Sequence, residues 1–127
     1  DLFESDGQQI VILDSTVNHM PEVFEYQFSP DVVGAKDNDD KKTGEFRYRL
    51  TGSTCLAGDI FGDYSFDQPL QVGSRVLFEN AGAYTMVKEN FFNGVNLPAI
   101  YILEQDGRAI LSKQFNYHDF LIHCGAG

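Results

Sequence analysis

The sequence has no tryptophan, only two cysteines and few basic residues among its 127 positions. Nine lysine and arginine residues stand against 19 aspartate and glutamate residues, which gives a net charge of −10. A chain this acidic repels phosphate backbones and anionic lipid, so we exclude nucleic acids and membrane surfaces as partners. A cationic ligand or a basic partner fits the charge, and so does the simpler interpretation that the charge keeps the protein in solution.

The two cysteines, Cys55 and Cys124, are too few for a disulfide-rich scaffold, and no C-x-x-C pair is present to bind structural zinc. No apolar run approaches the roughly 20 residues of a membrane span, and the acidic start at Asp1 is unlike a signal peptide. We therefore expect a reduced, cytoplasmic protein without a bound metal. Because the sequence starts at Asp1 rather than at methionine, we also expect a piece of a longer chain.

Apolar and aromatic residues follow strand-like patterns along most of the chain. A run of branched apolar side chains predicts a strand buried on both faces, and strict alternation predicts a strand with one buried face. The predicted strands are Gln9–Thr16, Val23–Phe28, Glu45–Leu50, Arg75–Asn80, Pro98–Glu104 and Arg108–Lys113. The last two flank Gln105-Asp106-Gly107, and an Asp-Gly pair between apolar runs is typical of a β-hairpin.

One segment near the end favours a helix. Tyr117–His123 follows Asn116, which is a preferred residue at a helix N-cap. Taken together, the patterns predict a single all-β domain over residues 1–127, a Greek-key-like barrel or sandwich with at most one or two short helices.

The charged run Asp37–Lys42 superficially resembles a calcium-binding loop. An EF-hand loop needs glycine at its sixth position and glutamate at its twelfth. Here Lys42 and Tyr48 hold those positions, so we reject calcium binding and interpret the run as a solvated loop.

The segment Gly52–Tyr64 has the densest set of reactive side chains, with a thiol at Cys55 and carboxylates at Asp59 and Asp63 among glycines. Glycines let the backbone turn or let another group come close, so we interpret the segment as part of a site. Nearby carboxylates raise the pKa of a thiol, which disfavours Cys55 as a nucleophile unless His19 comes close. A small buried side chain is the alternative role for Cys55.

Two further residues are candidates. His19 lies in an irregular segment before Pro21, where a hydrogen-bonded loop histidine is the leading interpretation and a ligand-contacting imidazole the alternative. Tyr84 lies in a second polar and aromatic cluster, Asn80–Met86, and its hydroxyl could donate to a phosphate. A phosphate-binding P-loop is absent, because the glycines near Cys55 are not followed by lysine and serine or threonine.

Three blocks of the sequence, taken together, resemble one enzyme family. They are Cys55-Leu56-Ala57-Gly58-Asp59 with Gly62-Asp63-Tyr64, then Asn80–Lys88 with Phe92-Asn93-Gly94, and the earlier segment His19–Glu25. At matching spacing these blocks resemble segments of the carboxynorspermidine (carboxyspermidine) decarboxylases. The resemblance extends from the first strand to about Phe120.

The resemblance implies a pyridoxal-phosphate (PLP) decarboxylase of the alanine-racemase and ornithine-decarboxylase fold type. Such enzymes have a TIM-barrel domain, which binds PLP through a lysine, and a C-terminal β-barrel domain. Only the β-domain is resembled here, so we expect the PLP-binding lysine elsewhere and no activity from this chain alone. In the family's homodimers the site lies at the subunit interface. The expected partners are therefore the barrel domain, a second subunit and a cationic polyamine-like substrate.

The resemblance also implies roles for individual residues. Cys55 is expected to be the catalytic thiol that steers protonation after carbon dioxide leaves, and Asp59 to bind the distal amines of the substrate. Tyr84 is expected to hydrogen-bond the PLP phosphate, and Phe92 to line the substrate pocket. Because such a site includes another subunit, we expect Cys55 and Asp59 to lie at the surface of this domain.

Leu56 departs from the related ornithine and diaminopimelate decarboxylases, which carry an acidic residue directly after the cysteine. This favours a longer polyamine-like substrate whose far amine binds elsewhere, with Asp63 and His19 as candidates. The alternatives are the β-domain of a diaminopimelate or ornithine decarboxylase, a non-catalytic dimerisation or regulatory β-barrel, and an unrelated ligand-binding barrel.

Overall fold

The computed structural model describes residues 1–37 and 46–127. These residues divide into two compact units, Asp1–Lys88 and Glu89–Gly127. Most of the regular structure is sheet, with three short helices and two 3-10 turns. The expectation of at most one or two helices is therefore wrong, and that of one β-domain over residues 1–127 stays a prediction.

The elements of the first unit are β1 (Leu2–Ser5), β2 (Gln8–Ile12), a 3-10 turn (Val17–His19), α1 (Pro21–Tyr26), β3 (Asp31–Val32), β4 (Ala35–Asp37), β5 (Phe46–Thr51), β6 (Ile60–Phe66), β7 (Phe78–Glu79) and α2 (Thr85–Lys88). Those of the second unit are a 3-10 turn (Phe92–Gly94), β8 (Ile100–Leu103), β9 (Ala109–Lys113) and α3 (Tyr117–His123).

The main sheet has the strand order β1-β2-β5-β6-β4. Strands β2 and β5 run parallel, and the other neighbours pair antiparallel. Within the described residues this sheet is open at both edges, so it shows a sheet domain and does not confirm a closed barrel or a Greek key. Short strands β3 and β7 form a separate pair.

The core of the first unit lies on one face of the main sheet. Along β5 the alternation in the sequence places Tyr48 and Leu50 inward, and Leu50 has no exposed surface. Replacing a fully buried leucine by alanine costs about 2–5 kcal/mol. The buried apolar residues are Val11, Val17, Met20, Val23, Val32, Tyr48, Leu50, Phe61, Tyr64 and Phe66.

The strand predicted over Val23–Phe28 is wrong, because the chain forms helix α1 there. Pro21 occupies the first turn, where its fixed φ suits a helix and its missing N–H costs nothing. Gln27 ends the helix with a left-handed backbone, and its N–H donates to the carbonyl of Val23. The alternating aromatic side chains of this segment, Phe24, Tyr26 and Phe28, are exposed rather than buried on one face of a strand.

Several local predictions are confirmed. Strands β8 and β9 form the hairpin around the Asp-Gly pair, and Asn116 is the N-cap of α3, with a reciprocal capping box to Asp119. The strand predicted over Arg75–Asn80 shrinks to the two residues of β7. Of the charged run Asp37–Lys42, only Asp37 is described, at the end of β4, and the rest lies outside the described residues.

Candidate functional site

Residues Gly52–Asp59 form the loop between β5 and β6, here called the thiol loop because it carries Cys55. Backbone hydrogen bonds close it: the N–H of Gly52 donates to the carbonyl of Asp59 at 2.8 Å, and the N–H of Asp59 donates to Leu56 at 3.0 Å. The N–H of Ser53 donates to the carbonyl of Ser15 at 2.9 Å. The loop is therefore fixed both to itself and to the chain that follows β2.

Asp59 is buried, with only 5 % of its surface exposed, so the prediction that it lies at the surface is wrong. Its Oδ1 accepts from the N–H of Val17 at 2.8 Å, and its Oδ2 accepts from the hydroxyl of Thr16 at 2.9 Å. Oδ2 also accepts from the N–H and the hydroxyl of Thr54, at 3.1 and 2.5 Å. A buried carboxylate needs such donors, and here they all come from its own chain.

Two glycines make room for this arrangement. A Cβ on Gly52 would lie 2.0 Å from Oδ1 of Asp59, so any larger residue would displace the carboxylate. Gly58 has a φ of +87°, and a Cβ there would lie 3.2 Å from the ring of Phe24 on α1. The thiol loop therefore needs glycine at both positions, for close approach at one and for backbone conformation at the other.

Cys55 is exposed, as predicted, and forms no disulfide. The next residue, Leu56, is partly buried and packs against the hydrophobic core. Neighbouring side chains of the loop thus point in different directions, one outward and one inward. The leucine side chain anchors the loop and leaves no acidic group directly after the cysteine.

His19 is buried at the end of the 3-10 turn. Its Nδ1 lies 3.1 Å from the hydroxyl of Ser15. The same turn contains Val17, which donates to Asp59, so the structure brings the segment of His19 and the thiol loop together. The geometry favours a hydrogen-bonded structural histidine, and its predicted role in substrate binding stays a prediction.

A cavity of about 350 Å³ lies between residues 20–31 and residues 79–84. Three carboxylates line it, from Glu22, Asp31 and Glu79, together with the rings of Tyr26 and Tyr84. We call it the acidic pocket. Carboxylates and aromatic faces both attract cations, so the lining suits a positively charged group.

Glu22 is the residue of this pocket that the sequence did not single out. It is only 6 % exposed; its Oε1 accepts a hydrogen bond from the hydroxyl of Thr85, and its Oε2 has no partner in the described part of the chain. Its only signal in the sequence was an acidic residue directly after Pro21, which is also common in the first turn of a surface helix.

Tyr84 lies at this pocket with 56 % of its surface exposed, next to the ring of Tyr26 at 6.5 Å between centroids. Lys88, one turn along α2, pairs with Glu25 on α1, and that hydrogen bond raises the pKa of the lysine. Phe92 belongs to the second unit, where it is 40 % exposed.

Asp63 is held in a different interaction. Its two oxygens accept from Nε and Nη2 of Arg49 on the neighbouring strand, at 2.7 and 2.9 Å. Oδ1 also accepts from the side-chain amide of Gln8 at 3.3 Å. The hydrogen bond to Asp63 raises the pKa of Arg49, so the guanidinium stays charged. This geometry favours a structural ion pair, and the predicted substrate contact of Asp63 stays a prediction.

These features define a sheet domain that carries an exposed thiol and an acidic pocket on its first unit. Residues 2–82 match the family model described as the C-terminal sheet domain of pyridoxal-dependent decarboxylases. The chain therefore belongs to this family of decarboxylase sheet domains.

Two relatives are similar over nearly the whole chain. Carboxyaminopropylagmatine decarboxylase of Synechocystis sp. is 48 % identical over 126 residues, which is 98 % of this chain and 32 % of the relative. Carboxynorspermidine/carboxyspermidine decarboxylase of Herminiimonas arsenicoxydans is 40 % identical over 117 residues, which is 91 % of this chain and 30 % of the relative. The chain thus spans about a third of the length of these curated relatives.

A solved structure supports the same relationship. The carboxynorspermidine decarboxylase of Campylobacter jejuni, complexed with norspermidine, superimposes with a TM-score of 0.89 at 35 % identity. The match covers 97 % of this chain and 36 % of that one.

No helix in the described residues is long and apolar enough to cross a membrane.

The family's cofactor is PLP, and one side chain of this chain, that of Tyr84, suits its phosphate. The acidic pocket itself disfavours an anion, because Glu22 is buried there with a carboxylate oxygen that has no donor in the described ranges. The exposed phenol of Tyr84, at the same pocket, is a hydrogen-bond donor for a phosphate oxygen. Of the groups at this pocket, the Tyr84 hydroxyl therefore suits a phosphate oxygen, and the Glu22 carboxylate suits a cation.

Proposed function

We propose that this chain is the substrate-binding and dimer-interface domain of a homodimeric PLP-dependent carboxy-lyase of polyamine and spermidine biosynthesis. Its substrate is a carboxylated polyamine, carboxynorspermidine or carboxyspermidine, or the carboxyaminopropylagmatine of the similar Synechocystis enzyme. The observation that carries the proposal is the buried Glu22 carboxylate, whose Oε2 has no partner among the residues described. A cationic amine or guanidinium is the group that satisfies it.

The acidic surface supports a cationic substrate as well. A net charge of −10 raises the local concentration of multiply charged cations and speeds their association. The acidic charge is also consistent with a cytoplasmic enzyme, and a cytoplasmic location is part of the proposal.

The residues of this chain have separate tasks in the reaction. When PLP is bound, it supplies the electron sink for the carbanion that decarboxylation leaves. Cys55, exposed on the thiol loop, holds the proton at Sγ and controls its delivery to the substrate carbon. Tyr84 orients the cofactor through its hydroxyl, and Phe92 on the second unit offers an exposed ring to the substrate.

The geometry changes the amine-binding residue in this proposal. Both carboxylate oxygens of Asp59 accept hydrogen bonds from donors of its own chain, and the carboxylate of Asp63 is paired with Arg49. Glu22 has an oxygen without a donor in the described residues, and it lines a cavity, as amine binding needs. Leu56 leaves no acidic group directly after the cysteine, which favours a long substrate over ornithine or diaminopimelate.

The test is a substrate panel for the full-length protein that carries this chain. Carbon dioxide release is measured with PLP on five compounds: carboxynorspermidine, carboxyspermidine, carboxyaminopropylagmatine, ornithine and diaminopimelate. The proposal expects kcat/KM to be at least about 100-fold higher for one of the first three, a difference of about 2.7 kcal/mol. Faster turnover of ornithine or diaminopimelate would identify the related decarboxylases instead.

Two other outcomes separate the remaining alternatives. No turnover of any compound, with intact dimers, would support a non-catalytic dimerisation or regulatory domain. The 127-residue chain alone is expected to be inactive and to give no specific, saturable absorbance band when PLP is added.

A further inference from the structure

The buried carboxylate of Asp59 connects two parts of the chain that are far apart in sequence. On one side its donors are Thr16 and Val17, 43 and 42 residues away. On the other side its donor is Thr54, which immediately precedes Cys55. Oδ2 alone receives hydrogen bonds from both sides, so one oxygen atom joins the turn after β2 to the thiol loop.

The turn held by Asp59 leads directly into the helix that carries Glu22. The N–H of Met20 donates to the carbonyl of Val17 at 2.9 Å, and the N–H of Val23 donates to Met20 at 3.0 Å. A shift at Val17 is therefore passed through consecutive hydrogen bonds to the first turn of α1. The close approach of Gly58 to Phe24 gives the thiol loop a second contact with the same helix.

We propose that Asp59 is a positioning residue of the site, which fixes the thiol loop of Cys55 against the helix of Glu22. This inference rests on the proposed function, because it explains how one domain sets both a proton-handling thiol and an amine-binding carboxylate. In this proposal Asp59 acts through these hydrogen bonds and not by touching substrate or cofactor, because it is buried and both its oxygens accept from donors of its own chain.

The first test measures the thiol directly and needs no turnover. The full-length protein is alkylated with iodoacetamide, and peptide mass spectrometry follows Cys55 and Cys124 in the same molecules, with the exposed Cys124 of the second unit as internal reference. Asp59→Ala is expected to change the ratio of the two rates at least about threefold, because the loop loses its anchor. Thr16→Val removes one donor far from Cys55 in sequence and is expected to change the ratio in the same direction.

Gly52→Ala is the independent variant, and it serves if Asp59→Ala does not fold. It leaves the aspartate in place but pushes its carboxylate away, so it is expected to reproduce the change. Asp67→Asn, at an exposed aspartate, is the matched control and should leave the ratio unchanged. An unchanged ratio in both Thr16→Val and Gly52→Ala overturns the proposal.

The second test asks whether Asp59 acts through the thiol. Thr16→Val is expected to lower kcat at least about fivefold in the wild-type background and less than about twofold in a Cys55→Ala background, because coupled residues are not additive. Val32→Ala, a core change, should have the same effect in both backgrounds. If Thr16→Val lowered kcat by the same factor in both backgrounds, Asp59 would be a purely structural residue. If no substrate is turned over, the proposed function fails, and the alkylation ratio still decides the role of Asp59.

Discussion

The hydroxyl of Thr85 donates a hydrogen bond to one carboxylate oxygen of Glu22, although the two residues are 63 positions apart. This bond fixes the orientation of the glutamate and leaves its other oxygen, Oε2, without a donor in the ranges described. Leaving a buried charged group unsatisfied costs free energy, which a cationic ligand would recover. The pair therefore places this oxygen at the acidic pocket, where we propose that a substrate amine binds.

Glu22→Gln removes the charge and keeps the shape. We expect KM for the carboxylated polyamine to rise about tenfold or more, because a hydrogen bond to a charged group contributes about 1.5–3 kcal/mol. Thermal stability without substrate should not fall, because the glutamine has no buried charge to satisfy. Steady-state kinetics and a melting curve on the same preparations check both points. The control is Glu25→Gln on the same helix, an exposed residue paired with Lys88, and an unchanged KM for Glu22→Gln would exclude this residue from substrate binding.

Tyr84→Phe removes a phenol that we expect to contact the cofactor phosphate. PLP should bind roughly tenfold more weakly, since one hydrogen bond to a charged group is lost. Titration of the full-length apoprotein with PLP, followed by fluorescence, gives the dissociation constant. Tyr101→Phe is the matched control, because that side chain is similarly exposed at 58 % but lies in the second unit. Equal affinities for the two variants would remove Tyr84 from the cofactor site.

The ion pair of Asp63 and Arg49 is expected to contribute to stability only modestly. Its side chains are 32 % and 37 % exposed, and pairs that water reaches contribute about 0–1 kcal/mol. Asp63→Asn should therefore lower the free energy of unfolding in urea by at most about 1 kcal/mol and leave KM unchanged. A tenfold rise in KM at unchanged stability would instead make Asp63 a substrate-binding residue.

Asp119 gives the second unit a defined response to acid. Its Oδ2 accepts from the backbone N–H of Asn116 at 2.8 Å, and this hydrogen bond lowers the pKa of the carboxyl group. A lowered pKa in the folded state means that the carboxylate stabilises α3 above the ordinary pKa of about 3.9. This stabilisation is lost as the pH falls through the lowered value.

We therefore expect the amides at the start of α3 to lose hydrogen-exchange protection below about pH 4. In Asp119→Asn the same amides should be less protected at neutral pH and should change little with acid. A wild-type protein whose α3 amides show no acid dependence would contradict this account of the capping box.

Local patterns predicted the parts of the fold that neighbouring residues determine. The hairpin of β8 and β9 follows from its Asp-Gly turn, and α3 follows from Asn116. The strand predicted over Val23–Phe28 failed because six residues are too few to separate a strand period from a short helix. There the proline at the first position and the tertiary packing of Val23 decided in favour of the helix.

The sequence blocks that form the site could be predicted, but which of their side chains are exposed and which are buried could not. Cys55 is exposed as expected, whereas the burial of Asp59 depends on donors from Thr16 and Val17, more than 40 residues away. The burial of Glu22 could not be predicted for the same reason, because it requires contact with the segment of Thr85, which is distant in sequence. Spacing within a motif gives no information on such long-range contacts, so residue types alone could not separate the buried carboxylates from the exposed thiol.

The most direct test of the central claim is the turnover of the full-length protein carrying Cys55→Ala. We expect kcat to fall at least about 100-fold, the usual contribution of positioned proton transfer, while PLP affinity and the dimer remain as in the wild type. Cys124→Ala, at the other exposed cysteine, should turn over normally. Undiminished turnover by Cys55→Ala would contradict the proposal that this domain contributes the catalytic thiol.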